Sequence, residues 1–98
     1  MFRHVVMFKW QPGTGANEIE RVRQRLDELP RAIPEISRYR HGPDAGVNQG
    51  NFDYVVVGDF DDVAGYIVYR DHPVHKQLIT EVLAPLIAER SAVQYEID

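Results

Sequence analysis

The sequence contains no cysteine and no long hydrophobic run. Without thiols, disulfides and cysteine chemistry are excluded, and a zinc site would depend on histidines and carboxylates. No apolar run approaches the roughly 18 residues that a membrane span needs. Because the chain enters an alternating segment at once, no export signal is expected, and we predict a cytoplasmic protein. The formal net charge of −4 argues against nucleic acid or an anionic membrane as a partner.

The composition is that of an ordinary globular protein, and 98 residues suffice for a single domain spanning 1–98. Residues 2–10 alternate strictly, and both of the resulting faces carry apolar side chains. This pattern predicts a strand that is covered on both sides. Since a small sheet has only one layer of helices, the second face requires another sheet, supplied by a second copy of the chain.

Helical periodicity follows the turn at 11–15. The first helix is predicted to be capped by Thr14 or Asn17 and to end at Pro30. Asp61 is expected to cap a second helix that ends at Tyr69–Arg70. A third helix is predicted to begin at Pro73 and to break at Pro85, with a short turn at 86–89.

Three further segments alternate or are rich in β-branched and aromatic residues, and predict strands at 36–41, 52–60 and 91–97. The resulting order is strand, helix, strand, strand, broken helix, strand. That order is typical of the ferredoxin-like α+β fold, a four-stranded antiparallel sheet with helices on one face. Its uncovered face is the expected homodimer interface.

The densest run of reactive side chains is Tyr69-Arg70-Asp71-His72-Pro73-Val74-His75. The proline ring pushes His72 out of the α region, whereas Pro73 itself suits the first turn of a helix. A corner is therefore expected, with His75 in the first helical turn beyond it. The helix dipole disfavours an imidazolium there, so a neutral His75 can serve as a base. Tyr69 can face the same space from the preceding helix.

Several segments resemble the stress-responsive A/B barrel, or Dabb, family. They are Arg3 to Lys9, Ile33-Pro34, the Tyr69 to His75 run, Leu83-Ala84-Pro85-Leu86 and Glu89-Arg90. The resemblance implies a ferredoxin-like barrel in which two subunits join their sheets. The best-understood enzymes of the family are plant polyketide cyclases of the olivetolic acid type. They need no metal or organic cofactor and fold a linear poly-β-ketone by an aldol step.

The resemblance also implies roles for individual residues. Tyr69 and His75 match the catalytic tyrosine and histidine of these cyclases, and His4 matches a histidine of the pocket. Tyr54 and Leu26 stand where the cyclases have a histidine and a tyrosine, so the ligand is expected to differ. The predicted catalytic residues are His75 and Tyr69, and the predicted ligand-contacting residues are His4, Val6, Phe8, Val22, Leu26, Tyr54, Val56 and His72. No cofactor is expected.

Two function classes remain open. The first is a cofactor-free cyclase or lyase that acts on a small apolar or aromatic carbonyl compound. The second is a non-catalytic dimeric stress-response or ligand-binding module, in which the His72-Pro73 run is a structural corner. Cofactor-independent monooxygenases share only the expected fold. A metal held by His72 and His75 is not expected, because helical spacing does not extend across Pro73.

Overall fold

The computed structural model describes residues 1–98, and the predicted ferredoxin-like α+β fold is confirmed. The four strands form one antiparallel sheet in the order β2-β3-β1-β4, with the helices on one face. The elements are β1 (Phe2–Trp10), α1 (Ala16–Ala32), β2 (Ile36–Pro43), β3 (Tyr54–Phe60), α2 (Val63–Asp71), α3 (Pro73–Leu78), a π-helical turn (Ile79–Leu83) and β4 (Ile87–Glu96).

The hydrophobic core lies between the helices and the inner face of the sheet. Helical spacing turns Val22, Leu26 and Leu29 of α1 inward, and all three are buried. Strand alternation sends Val6 and Phe8 of β1 toward them. The inner face of the sheet is therefore well covered over β1 and β3, while both faces of the edge strand β4 remain largely exposed.

The ends of α1 differ from the prediction. Its N-cap is Gly15, whose backbone N–H donates to the Glu18 carboxylate at 3.0 Å, so neither Thr14 nor Asn17 caps the helix. The Thr14 hydroxyl instead donates to the Gln11 carbonyl at 2.7 Å. Pro30 does not end the helix, which continues to Ala32.

The strand boundaries also differ from the prediction. β2 continues to Pro43, and β3 begins at Tyr54 rather than at residue 52. β4 begins at Ile87 rather than at residue 91, because the Gln11 N–H donates to the Leu86 carbonyl at 2.7 Å and extends the pairing with β1. The predicted turn at 86–89 was therefore wrong, and Arg90 belongs to a strand.

The outer face of the sheet carries no helix, as predicted. It presents apolar side chains from three strands, among them Val5 of β1 and Val57 of β3. Val93 of β4 lies opposite Val5 and is 60% exposed. Arg3 and Asp59 form a two-pronged ion pair on this face, with N–O distances of 2.7 and 2.9 Å. The guanidinium holds the pKa of the Asp59 carboxyl below its usual value.

The N-cap of α2 is Asp62 and not the predicted Asp61. The Asp62 carboxylate accepts a hydrogen bond from the Gly65 N–H at 2.9 Å. Asp61 lies one residue earlier and accepts from the Ser37 hydroxyl at 3.1 Å. Two adjacent aspartates thus have different structural roles.

We expect Asp62→Ala to lower the free energy of unfolding by about 1 kcal/mol, because a helix N–H loses its acceptor. Asp62→Asn should restore most of that loss, since asparagine also caps helices well. Urea denaturation of the three proteins measures the effect. Asp61→Ala is the matched control with the smaller expected loss, and an equal loss in both alanine variants would contradict the assignment.

Candidate active site

The predicted corner lies between α2 and α3, and a single residue makes it. α2 ends at Asp71, and His72 has the extended backbone that a following proline favours, with φ −64° and ψ 135°. Pro73 is the first residue of α3. The His72 Nδ1 accepts a hydrogen bond from the Val74 N–H at 3.1 Å, so His72 caps α3. This use of the ring keeps His72 out of the cavity beside the corner.

The corner brings Tyr69 and His75 together. Their ring centroids lie 4.2 Å apart, with an angle of 32° between the ring planes. The His75 Nδ1 lies 3.1 Å from the Arg70 carbonyl oxygen. Because a carbonyl oxygen can only accept, Nδ1 carries the proton of the neutral ring and Nε2 keeps a free lone pair. Burial lowers the pKa of His75, which favours this neutral form.

The Tyr69 hydroxyl has a phenolic partner that the sequence did not point to. It lies 2.8 Å from the Tyr39 hydroxyl of β2. Burial raises the pKa of Tyr69 to about 12 and that of Tyr39 well above its usual value, so both phenols stay protonated. Gly58 makes room for this pair, since a Cβ there would lie 3.3 Å from the Tyr39 ring.

His4 faces the same space from β1 and is 4% exposed. The Gln94 Nε2 donates to the His4 Nδ1 at 2.9 Å, so the proton of the neutral His4 ring lies on Nε2. Gln94 also donates to the Tyr66 hydroxyl at 3.3 Å. The pKa of His4 is lowered to about 4, mainly by burial. The nearby guanidinium of Arg90 and the His75 side chain each contribute to this lowering. His4 and His75 are therefore both neutral at pH 7, with protons on opposite nitrogens.

These side chains line a cavity of about 230 Å³ between the sheet and the helices. Its volume lies below the roughly 300–1,000 Å³ of sites for drug-sized ligands, which indicates a small ligand. Most of the lining is apolar, and the polar groups are histidines, tyrosines and arginines. Seven of the predicted site residues line it: His4, Val6, Phe8, Leu26, Val56, Tyr69 and His75.

The other predicted residues, Val22, Tyr54 and His72, lie outside this cavity. Val22 belongs to α1 and is fully buried in the hydrophobic core. His72 is the N-cap of α3. The Tyr54 hydroxyl lies 2.8 Å from the Nδ1 of His41, which is not a cavity residue. His41 in turn donates from Nε2 to the Asp27 carboxylate at 2.7 Å, so Tyr54 belongs to a separate polar chain.

Several cavity residues were not predicted from the sequence. Tyr39, Tyr66 and Arg70 were assigned to elements but to no site, and Arg90 was placed outside the strands. The alternation of Ala92, Gln94 and Glu96 extends back to Arg90, and this signal would have placed Arg90 on the inner face of β4. No comparable local signal connects Tyr39 with Tyr69.

The structure has no group of three or more His, Cys, Asp or Glu side chains arranged to hold a metal ion. None of its helices combines the length and the apolar character that crossing a membrane requires. The side chains that line the cavity supply a neutral imidazole base, phenolic hydrogen-bond donors and guanidinium cations.

We expect the two histidines to show opposite tautomers in an imidazole ¹⁵N correlation spectrum at pH 7.5, with the proton on Nδ1 in His75 and on Nε2 in His4. The pKa of His4 is about 4 in the folded state, below the usual 6.5, so the unfolded state binds its proton more tightly. The contribution of His4 to stability is complete above pH 6.5 and is lost as the pH falls toward 4. Titration of His4 near 6.5, or identical tautomers, would contradict this hydrogen-bond network.

Comparison with known proteins places the chain in a family. A family model described as the stress responsive A/B barrel domain matches residues 2–97. A search of curated proteins gave no significant match. Among solved structures, a dimeric ferredoxin-like protein of unknown function from Thermobifida fusca is 38% identical, with a TM-score of 0.91 over 98% of this chain and 90% of that one.

More distant structures show the same fold. A Dabb family protein from Mesorhizobium loti is 20% identical, with a TM-score of 0.83 over 98% of this chain and 95% of that one. A hydroxynitrile lyase from Passiflora edulis is 19% identical, with a TM-score of 0.86 over 99% of this chain and 93% of that one. With nearly its whole length matched by the family model, the chain belongs to the stress-responsive A/B barrel (Dabb) family.

Proposed function

We propose that this protein is a cofactor-free enzyme that binds a small, partly apolar carbonyl compound and removes a proton from it, in a cyclisation or lyase step. The His75 Nε2 carries this proposal. Its lone pair is free because the Arg70 carbonyl engages the opposite nitrogen, and its ring forms part of the cavity wall. A base that is neutral near pH 7 and held in one tautomer is what proton abstraction next to a carbonyl requires.

Tyr69 completes the proposed chemistry. When His75 takes the proton, the C–H bond breaks and its electron pair moves into the carbonyl group, which becomes an enolate. A protonated phenol can donate a hydrogen bond to the oxygen on which this charge develops. Tyr39 can donate to Tyr69 at the same time, across the 2.8 Å that separates their hydroxyls. The two phenols thus form a short donor chain that ends at the cavity.

The fold comparisons are compatible with this proposal. The Passiflora edulis neighbour is a hydroxynitrile lyase. At 19% identity the likeness concerns the fold, and it means that a protein with this fold can have lyase activity. Because the cavity is small and mostly apolar, we favour a compact β-dicarbonyl or polyketide-like compound as the substrate. The cytoplasmic location expected from the sequence remains a prediction.

We expect the wild-type protein to accelerate deuterium incorporation into at least one member of a panel of small β-diketones and β-keto esters. In His75→Ala the rate should fall by about 10²–10⁴-fold because the base is lost. In Tyr69→Phe it should fall by about 10²–10³-fold because an enolate donor is lost. Proton NMR in D₂O follows the exchange directly.

The control for this experiment is His72→Asn, which removes a histidine outside the cavity but keeps a side chain able to cap α3. Its rate should equal that of the wild type. If the compounds bind but exchange no faster than in buffer, the enzymatic proposal fails and the non-catalytic ligand-binding alternative replaces it.

We further propose that two copies pair through the outer face of the sheet. This face carries apolar side chains that no helix covers, and Val93 is 60% exposed there. The 38% identical protein from Thermobifida fusca is described as dimeric. Pairing of the two outer faces would remove this apolar surface from water, which is the main stabilising contribution to most protein association.

We expect Val93→Glu to convert a dimer into a monomer, because a carboxylate would be buried in an apolar interface without a partner. Size-exclusion chromatography with light scattering measures the change in mass. Val47→Glu is the matched control, since Val47 is 83% exposed in the loop before β3 and lies outside the sheet. A monomeric wild type, or a dimeric Val93→Glu protein, would contradict the proposed interface.

A further inference from the structure

We propose that Arg90 makes the cavity selective for ligands that carry a carboxylate, with the acidic carbon placed toward His75 and Tyr69. This proposal deepens the proposed function, because it concerns the ligand of the same cavity. It names a substrate class, a small keto acid, that neither the family nor its fold specifies. Three independent features of Arg90 support it.

The first feature is its position. Arg90 pairs with Phe8 in the register between β4 and β1, just as Ala92 pairs with Val6 and Gln94 with His4. Direct partners in an antiparallel pair point to the same face of a sheet. Because Phe8 and His4 face the cavity, Arg90 does so too, and it lines the wall near Ile87.

The second feature is that the Arg90 guanidinium has no partner in the protein. Arg90 is an exposed residue; no carboxylate of the protein lies within 4.0 Å of its guanidinium, and its side chain donates no hydrogen bond to the protein. Arg70, the other arginine of the cavity wall, is engaged by both oxygens of Asp71 at 2.9 and 3.1 Å. The planar donors of Arg90 are therefore free for a ligand, and they match the geometry of a carboxylate.

The third feature is the charge of the surroundings. The protein has 15 acidic and 11 basic residues, yet no Asp or Glu lines this cavity. Its other titratable groups are His4, His75, Tyr39, Tyr66 and Tyr69, together with the paired Arg70. The cavity therefore carries positive charge in a protein of net negative charge, an arrangement that attracts an anion.

Arg90 also affects, through its positive charge, the pKa values of the proposed reactive groups, His75 and Tyr69. Its cation contributes to lowering the pKa of His75 and of His4, and it opposes the rise in the pKa of Tyr69. Because Arg90, His75 and Tyr69 line the same small cavity, a carboxylate bound at Arg90 would leave the rest of a short molecule beside the two reactive side chains. In a short keto acid, the acidic carbon is separated from the carboxylate by only a few bonds.

The test compares two matched probes, 3-phenylpropanoate and 3-phenylpropanamide, which differ in charge but hardly in shape. NMR titration gives both dissociation constants for wild type, Arg90→Gln and Arg23→Gln. Arg23 is an exposed arginine of α1 outside the cavity, so its loss changes the net charge equally. We expect the wild type and Arg23→Gln to bind the carboxylate about tenfold tighter than the amide.

In Arg90→Gln the preference should fall to about twofold or less, while the affinity for the amide stays unchanged. Rising salt should weaken carboxylate binding in the wild type and have little effect in Arg90→Gln. An unchanged preference in Arg90→Gln, an equal loss in Arg23→Gln, or no binding of the carboxylate to wild type would overturn the proposal.

The two proposals for this cavity can fail separately. If the carboxylate preference depends on Arg90 but His75→Ala leaves proton exchange unchanged, the cavity is an anion-binding site without the proposed catalysis. If exchange depends on His75 but the charge preference does not depend on Arg90, the catalytic proposal stands and small keto acids are the wrong substrate class.

Discussion

The steric clash between Pro73 and the residue before it shapes the part of the molecule that holds the cavity. It ends α2, holds His72 in an extended conformation and starts α3 in a new direction. The change of direction lets residues six positions apart place their rings 4.2 Å from each other. The same corner positions the Arg70 carbonyl against the His75 Nδ1 and so selects the tautomer. One local backbone constraint therefore provides both the proximity and the protonation pattern of the proposed base.

The sheet depends on a second constraint, which is that one layer of helices covers only one of its faces. The inner face is filled by α1 and the helices around the corner, and the cavity lies between these helices and the four strands. The outer face exposes valines from three strands around the buried Asp59 and its partner Arg3. A fold of this kind reaches full burial of its apolar surface only with a second sheet, and the relative from Thermobifida fusca is indeed dimeric.

The electrostatics of the cavity differ from those of the protein as a whole. A chain of net charge −4 keeps carboxylates out of one cavity and places histidines, phenols and an unpaired guanidinium there. Burial keeps the imidazoles neutral and the phenols protonated, so the groups that can accept a proton and those that can donate one coexist near pH 7. Negative charge that enters with a ligand, or develops on it, can meet the phenolic donors and the arginine cations, and no carboxylate lines the cavity.

Local rules were sufficient to predict the order of the elements and the corner at His72, whereas the pocket positions of His4, Tyr69 and His75 were inferred from the resemblance to the Dabb family. Strand alternation and the proline clash act between near neighbours and can be read directly from the sequence. These rules predicted the ends of some elements wrongly. Helix α1 continues past Pro30, and pairing with β1 extends β4 back to Ile87. Only the tertiary structure decided that Tyr39 reaches Tyr69, that Gln94 selects the tautomer of His4, and that Tyr54 lies outside the cavity. These outcomes depend on the register between strands up to 90 residues apart in the chain, which pairing of the whole sheet sets and no local pattern encodes.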